Sequence, residues 1–408
     1  MIFSNARLIF PDGIRDGLEV VVEGGTIAEI RERSAATDGI DLAGNFLAPG
    51  FIDIHIHGAL GRDTMEATPE AFRAICDYHA GGGTTSLLLT TVTAPIADIV
   101  EVLRAIRGAR ADNKQIAGVH VEGPFISKKR PGAQRTEFIR EPETYLVDQL
   151  LAFADIIKIM TLAPEVPGAL ALIDRLRLHK IIASGGHSDA SDLEARAGFE
   201  YGMGHVTHTF NAMSSARRQG IYREAGLLEF ALSEPDIVCE VIADGHHVSP
   251  TLMKMLYRAK GPHGICLVTD ATAGAGLPEG KEFSLSGRSC VVGDGVCLLA
   301  DRSALAGSAS RMIDLVRVMV KQVGIPLHEA VAMASANPAR ALGLTTKGKL
   351  EAGADADFVV ISPELQVKHT FVAGEEALAG AFAGQGGALS KPPTVGRWRE
   401  GRFGKPPP

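Results

Sequence analysis

Between residues 49 and 347 the chain alternates two apolar patterns. Short runs that are apolar at almost every position predict strands covered on both faces. They fall at residues 51–56, 84–92, 116–121, 156–162, 180–184, 205–207, 237–243 and 265–269. Most of the stretches between them carry apolar residues at helical spacing, with charge on the opposite side. These predict helices over 69–80, 96–110, 141–154, 168–179, 190–198, 225–233 and 250–259, and one more over 308–323. Alternation of this kind predicts a parallel sheet, and eight units predict closure into an α/β barrel of the (β/α)8 type. A doubly wound open sheet is the alternative, but no Gly-rich phosphate fingerprint follows the first strand.

The two ends of the chain read differently. Residues 1–48 show short strand patterns at 6–10, 17–23, 26–31 and 45–48, split by Pro-Asp-Gly and Glu-Gly-Gly turns. Residues 348–375 repeat that texture. Neither piece is long enough for a core of its own. The two are therefore expected to meet in one small β-sandwich, with a barrel of residues 49–347 inserted between them. Residues 271–304 interrupt the alternation after the eighth strand, with a hairpin centred on Gly293-Asp294-Gly295. That insert would serve as a lid or extend the small domain. From residue 376 the sequence is rich in Gly and Ala, then basic, with the only Trp at Trp398. Residues 376–408 read as a solvated, disordered tail.

Composition narrows the function. At 408 residues and 46% hydrophobic content the chain can bury a large core. A net charge of −7 and a pI near 6.0 leave no basic stripe for nucleic acid. One local Arg would still suffice for a phosphate. The five cysteines are odd in number, form no CxxC pair and sit mostly in apolar runs, as in a reducing compartment without a disulfide framework. The first residues lack a basic-then-apolar leader pattern, and no apolar run approaches the ~18 residues of a membrane span. A cytoplasmic protein is expected.

Six side chains suited to a metal hydrolase stand at the ends of predicted strands: His55, His57, Glu122, His187, His208 and Asp270. Imidazole and carboxylate are the ligands a Zn-type cation takes when one position must stay open for water. His55 and His57 are two apart, so on a strand they share a face. Glu122 closes an apolar run before Gly-Pro, where a carboxylate is costly unless paired or metal-bound. His187 and His208 are separated by one strand-helix-strand unit. Asp270 ends the eighth strand and suits a general base over a metal-activated water. One of His246 and His247, the pair after strand seven, could polarise a substrate carbonyl or bind an anion. His120 and His205 read as support or packing residues.

The segments APGFIDIHIHG, GVHVEGPFIS, GGHSDA, THTFNAM, ADGHHV, LVTDATAGAG and SANPARALGL resemble the amidohydrolase superfamily. Within it they look like the N-acetylglucosamine-6-phosphate deacetylase family, over roughly residues 1–375. The resemblance implies a barrel with a flanking β-sandwich, a homodimer, and hydrolysis of an acetamide on a small phosphorylated amino sugar. It implies Glu122, His187 and His208 as the principal ligands of a divalent cation, Zn²⁺ first, with Fe²⁺ or Co²⁺ as substitutes. His55 and His57 match the positions that hold a second ion in some members, so one or two ions are expected per chain. Asp270 matches the catalytic acid/base. Substrate contacts carry over to Ala133, Asn211, Ala212, Asp244 through His247, Leu305, Ala306 and Gly307. Arg223, in the YREAG context at the start of a helix pattern, is the expected phosphate ligand, ahead of Arg217 and Arg218. The chain departs from the family pattern at Gln134, where a sugar-contacting His is usual, and in a longer Asn211–Arg223 stretch. Two rivals remain. A cyclic-amide hydrolase would need a modified Lys158 at the mouth, although Lys158 falls early in its strand. A silent scaffold would have lost Asp270 or a ligand.

Overall fold

Eight parallel strands lie side by side in chain order. They are β1 (Phe51–Ile56), β2 (Thr84–Thr91), β3 (Ile116–Glu122), β4 (Ile157–Leu162), β5 (Ile182–Gly185), β6 (Met203–Val206), β7 (Val238–Val241) and β8 (Ile265–Leu267). The computed structural model describes residues 1–34 and 39–377. The ring closes near its C-terminal mouth. Asp270 N donates to His55 O at 2.9 Å, His57 N donates to Ala271 O at 2.8 Å, and Ile56 bridges Ala271 in parallel. The fold is thus the expected (β/α)8 barrel and not an open doubly wound sheet.

Alternation along the strands decides what the barrel encloses. Leu87, Leu89, Val119 and Val121 pack outward in the core shared with Phe72, Ile75, Ile99 and Leu103 of the helices. Their neighbours form a buried polar chain within the ring. His120 Nε2 lies 2.7 Å from Thr161 Oγ1, Thr161 2.7 Å from Thr207 Oγ1, Thr207 2.6 Å from Ser184 Oγ, and Ser184 3.2 Å from His205 Nδ1. Helix starts follow local chemistry. Thr68 and Ser249 cap helices that open on Pro69 and Pro250, and Ser191 with Glu194 forms a capping box. Two helices absent from the expectations, Leu327–Ala334 and Ala336–Leu342, complete the outer layer.

The two chain ends meet in one further sheet, and the N-terminal end forms a second sheet beside it. Phe46–Pro49 pairs with Phe358–Ile361 in one sheet, and Ile2–Ser4, Leu18–Glu23, Thr26–Glu32 and Ile40–Asp41 form another. Their shared core centres on Phe3, whose ring lies 5.4 Å from Phe358 and 4.9 Å from Phe371, edge to face. The tail expectation for 376–408 lies outside the described residues beyond Ala377.

The insert after β8 is a four-stranded antiparallel sheet: Glu282–Leu285, Arg288–Gly293, Val296–Leu299 and Leu305–Ser308. Its hairpin turns at Asp294 and Gly295, with φ of 56° and 80°. The apolar side, with Cys290, Cys297 and Leu299, packs with Val92 above β2 and not with the sandwich core. Arg288 Nη1 donates to Ala133 O at 3.2 Å, tying the sheet to the loop that follows β3. The insert is therefore a cover over the barrel mouth.

Candidate active site

All six strand-end side chains meet at this mouth. Glu122 is the last residue of β3, while His187, His208 and Asp270 follow β5, β6 and β8 by two or three residues. These last three are non-glycine residues with φ of 47°, 30° and 47°. That conformation is disfavoured and persists only where surrounding contacts impose it. Here Ser127 N donates to His187 O at 2.8 Å, His208 N to Glu240 Oε2 at 3.1 Å, and Ser308 N to Asp270 O at 2.8 Å. Gly307 faces Asp270 so closely that a Cβ would lie 2.6 Å from the Asp270 carbonyl, and its φ is +74°. Only glycine fits there.

Three ring orientations are decided from behind. His57 Nδ1 lies 3.2 Å from the Thr90 carbonyl, His187 Nδ1 3.0 Å from the Arg130 carbonyl, and His55 Nδ1 2.9 Å from Glu240 Oε2. These oxygens can only accept, so each Nδ1 carries the proton and each Nε2 turns a lone pair into the site. There His187 Nε2 and His208 Nε2 stand 3.2 and 3.1 Å from Glu122 Oε1, and 3.1 Å from each other. His55 Nε2 and His57 Nε2 are 3.3 Å apart, with Glu122 at 3.4 and 3.5 Å and Asp270 Oδ1 at 3.5 and 3.3 Å.

Facing lone pairs and carboxylates repel unless a cation lies among them. Around an ion with ligand bonds of roughly 2.0–2.1 Å, tetrahedral ligands sit about 3.3 Å apart, close to the separations seen. The donors therefore fit a divalent metal in two overlapping sets, Glu122/His187/His208 and His55/His57/Glu122. The field agrees. Burial alone would lower His55 and His57, yet Glu122 and Asp270 hold both above their ordinary values. Burial likewise pushes the Asp270 carboxyl up, but His55 and His57 more than offset it and leave it at about 2.

The site opens into a cavity of about 280 Å³, near the size that takes a small metabolite. Ala133, Asn211, Ala212, His247, Leu305 and Gly307 line it, whereas His55 lies beneath His57 and does not. Asp244 fixes His247: its Oδ2 is 2.7 Å from Nδ1, and its Oδ1 accepts from the backbone amides of His246 and His247, both at 2.8 Å. Burial would lower His247, but Asp244 holds it above its ordinary value.

The remaining candidates take these positions. Ala306 is fully buried in the cover's apolar layer and does not line the cavity, because alternation turns only Leu305 and Gly307 inward. Arg223 does not begin a helix. The long Asn211–Arg223 stretch folds into a hairpin, Arg217–Gln219 against Tyr222–Glu224, and helix Leu227–Ser233 starts later. Arg223 is exposed there and outside the cavity lining; Arg217 bonds Asp189 at 3.3 Å. Gln134 is not free for a sugar hydroxyl alone. Its Oε1 accepts from Thr93 N at 2.7 Å and its Nε2 donates to Glu122 Oε2, so it braces the Glu122 carboxylate. Lys158 is half-buried near the start of β4, away from the cavity lining, as a cyclic-amide hydrolase site would not allow. Glu240 is the residue that motif reading missed. Its one signal is an acidic side chain inside the apolar run VCEVIA.

A closed parallel barrel with histidines and carboxylates converging at its mouth defines the class of metal-dependent hydrolases. The chain belongs to the amidohydrolase family, whose model matches residues 46–377. It is similar to the N-acetylglucosamine-6-phosphate deacetylase of Lysinibacillus sphaericus, with 35% identity over 92% of this chain and 97% of that one. It is also similar to an N-acetylgalactosamine-6-phosphate deacetylase of Escherichia coli O157:H7, at 33% identity over 91% and 97%. The crystal structure of N-acetylglucosamine-6-phosphate deacetylase from Pasteurella multocida superposes with a TM-score of 0.87, at 32% identity over 92% and 98%.

Proposed function

We propose that the protein hydrolyses the acetamide of N-acetyl-D-glucosamine 6-phosphate, releasing acetate and D-glucosamine 6-phosphate. The observation that carries this reading is the meeting of Glu122, His187, His208 and Asp270 beside one cavity. Family membership and the named relatives supply the substrate class. Glu122, His187 and His208 would hold a divalent cation, Zn²⁺ in the first instance, and His55 and His57 a second. When bound, such a cation would supply a water whose pKa is near 7 instead of ~15.7 and a Lewis acid for the acetamide carbonyl. Asp270 accepts the water proton as the new C–O bond forms, then delivers it to the amine nitrogen as the C–N bond breaks. His247, oriented by Asp244, donates to a substrate oxygen. Asn211 and the Leu305–Gly307 strand bound the sugar.

Acetate release from a small panel tests this. N-acetylglucosamine 6-phosphate should give the highest kcat/KM, above its galacto epimer and above free N-acetylglucosamine. A higher value for the galacto epimer would reassign the sugar, and no acetate from either phosphate would remove the reading. Arg223 stands on the exposed hairpin outside the cavity lining, so it serves a phosphate only if that group projects from the mouth; Arg223→Ala should then raise KM for the phosphorylated sugar more than for the free one, and an unchanged ratio would take Arg223 out of the site.

A cytoplasmic homodimer completes the proposal. No helix among the described residues is long and apolar enough to cross a membrane. The hairpin tip leaves Ile221 and Tyr222 79% and 72% exposed, which favours a protein contact there.

A further inference from the structure

Glu240 lies on β7 inside the barrel, completely buried, and is not part of the cavity lining. A buried carboxylate is costly unless it is compensated. Among the described residues no Lys or Arg forms an ion pair with it; its ion-pair neighbours are His55 at 2.9 Å and His205 at 3.6 Å. Its oxygen Oε2 has two partners. It accepts from the His55 ring at Nδ1, 2.9 Å away, and from the backbone N–H of His208 at 3.1 Å. The first bond commits the His55 proton to Nδ1 and leaves Nε2 as a lone pair toward His57, Glu122 and Asp270. The second holds the peptide of His208 where its φ is 30°, a disfavoured conformation for a β-substituted residue. One carboxylate oxygen therefore supports a donor from each of the two cation sets.

We propose that Glu240 is a positioning residue that orients His55 and His208 together and so couples the two cation subsites. The inference rests on the two-ion reading given above. Charge supports it. Two divalent ions bring four positive charges into a buried site where Glu122 and Asp270 supply two negative ones, and Glu240 adds a third. A rival reading makes His55, His120 and Glu240 a separate cation site. His120 argues against it, because both ring nitrogens are engaged: Nδ1 donates to Ile54 O at 3.0 Å, and Nε2 lies 2.7 Å from Thr161 Oγ1.

The test is zinc binding by the full chain, measured as bound zinc per chain and by competition with a chromogenic chelator. Wild type should hold two ions. Glu240→Gln should weaken the His55-dependent ion by about 10–100-fold, the usual effect of removing a residue that orients a ligand. In a His55→Ala background, where one ion remains, adding Glu240→Gln should cost less affinity, and the loss that persists reports the bond from Glu240 to His208 N. Unchanged affinity for both ions in Glu240→Gln, with wild type still holding two, would overturn the role of Glu240 alone. An equal loss with and without His55 would do the same. Wild type that holds one ion would overturn the two-ion reading and this inference with it. Should the variants fail to fold, a zinc-soaked crystal of wild type decides: zinc on His55 Nε2 with Nδ1 against Glu240 supports the proposal, and zinc between Glu240 and His120 overturns it.

Discussion

Stripping divalent cations from the protein is expected to abolish acetate release, and returning Zn²⁺, Fe²⁺ or Co²⁺ to restore it. The reason is geometric. The Nε2 atoms of His187 and His208 stand 3.1 Å apart and within 3.2 Å of a Glu122 oxygen, and His55 Nε2 and His57 Nε2 stand 3.3 Å apart. Buried donors so arranged have nothing to donate to one another unless protons or a cation intervene. The remaining protein groups cannot replace that charge, because a neutral water attacks an amide far too slowly near pH 7. The same treatment should lower the thermal midpoint, since an ion that binds only the folded chain stabilises it. Full activity in rigorously metal-free protein, checked by elemental analysis, would overturn the assignment.

Asp270→Asn should cost at least ~10²-fold in kcat, the scale of general acid–base catalysis, while bound metal stays near the wild-type level. Asn keeps the size and the hydrogen bonds of the backbone, which Ser308 N and His55 O hold at 2.8 and 2.9 Å. What it removes is the charge that accepts a proton. The carboxylate is well placed to accept one, being 13% exposed, on the cavity wall and 3.3 Å from His57 Nε2. Its carboxyl sits at about 2 because His55 and His57 overcome the effect of burial, so the base form prevails throughout the neutral range. A near-normal kcat in this variant would reduce Asp270 to a structural link between β8 and the cover. A parallel loss of metal would make it chiefly a ligand. Zinc content measured on the same preparation separates these outcomes.

The barrel was legible because its strands are apolar on both faces and its helices on one, so the period changes from element to element. The site was legible for a related reason. A polar group closing an apolar strand has few uses other than chemistry, and His55, His57, Glu122, His187, His208 and Asp270 all stand in that context. The hairpin at Asp294-Gly295 announced itself through turn residues alone. Misreadings came where local pattern had two solutions. YREAG precedes a helix, yet Arg223 pairs across to Arg218 in a hairpin that periodicity could not resolve. The role of Gln134 had no local signal either, because its partners Thr93 and Glu122 lie 41 and 12 residues away along the chain.

Sequence by itself determined the strand-helix rhythm, the six chemical side chains and their order, since each depends on residue type and spacing within one element. Tertiary structure alone decided how those elements meet. The Thr90 and Arg130 carbonyls that orient His57 and His187 carry no side-chain signal at all. Ala306 and Gly307 are neighbours in sequence, and only the pleat of the cover strand sends one into the core and the other to Asp270. Glu240 stands 185 residues from His55 along the chain, and it reaches that ring only because the parallel ring brings β7 and β1 around a common interior.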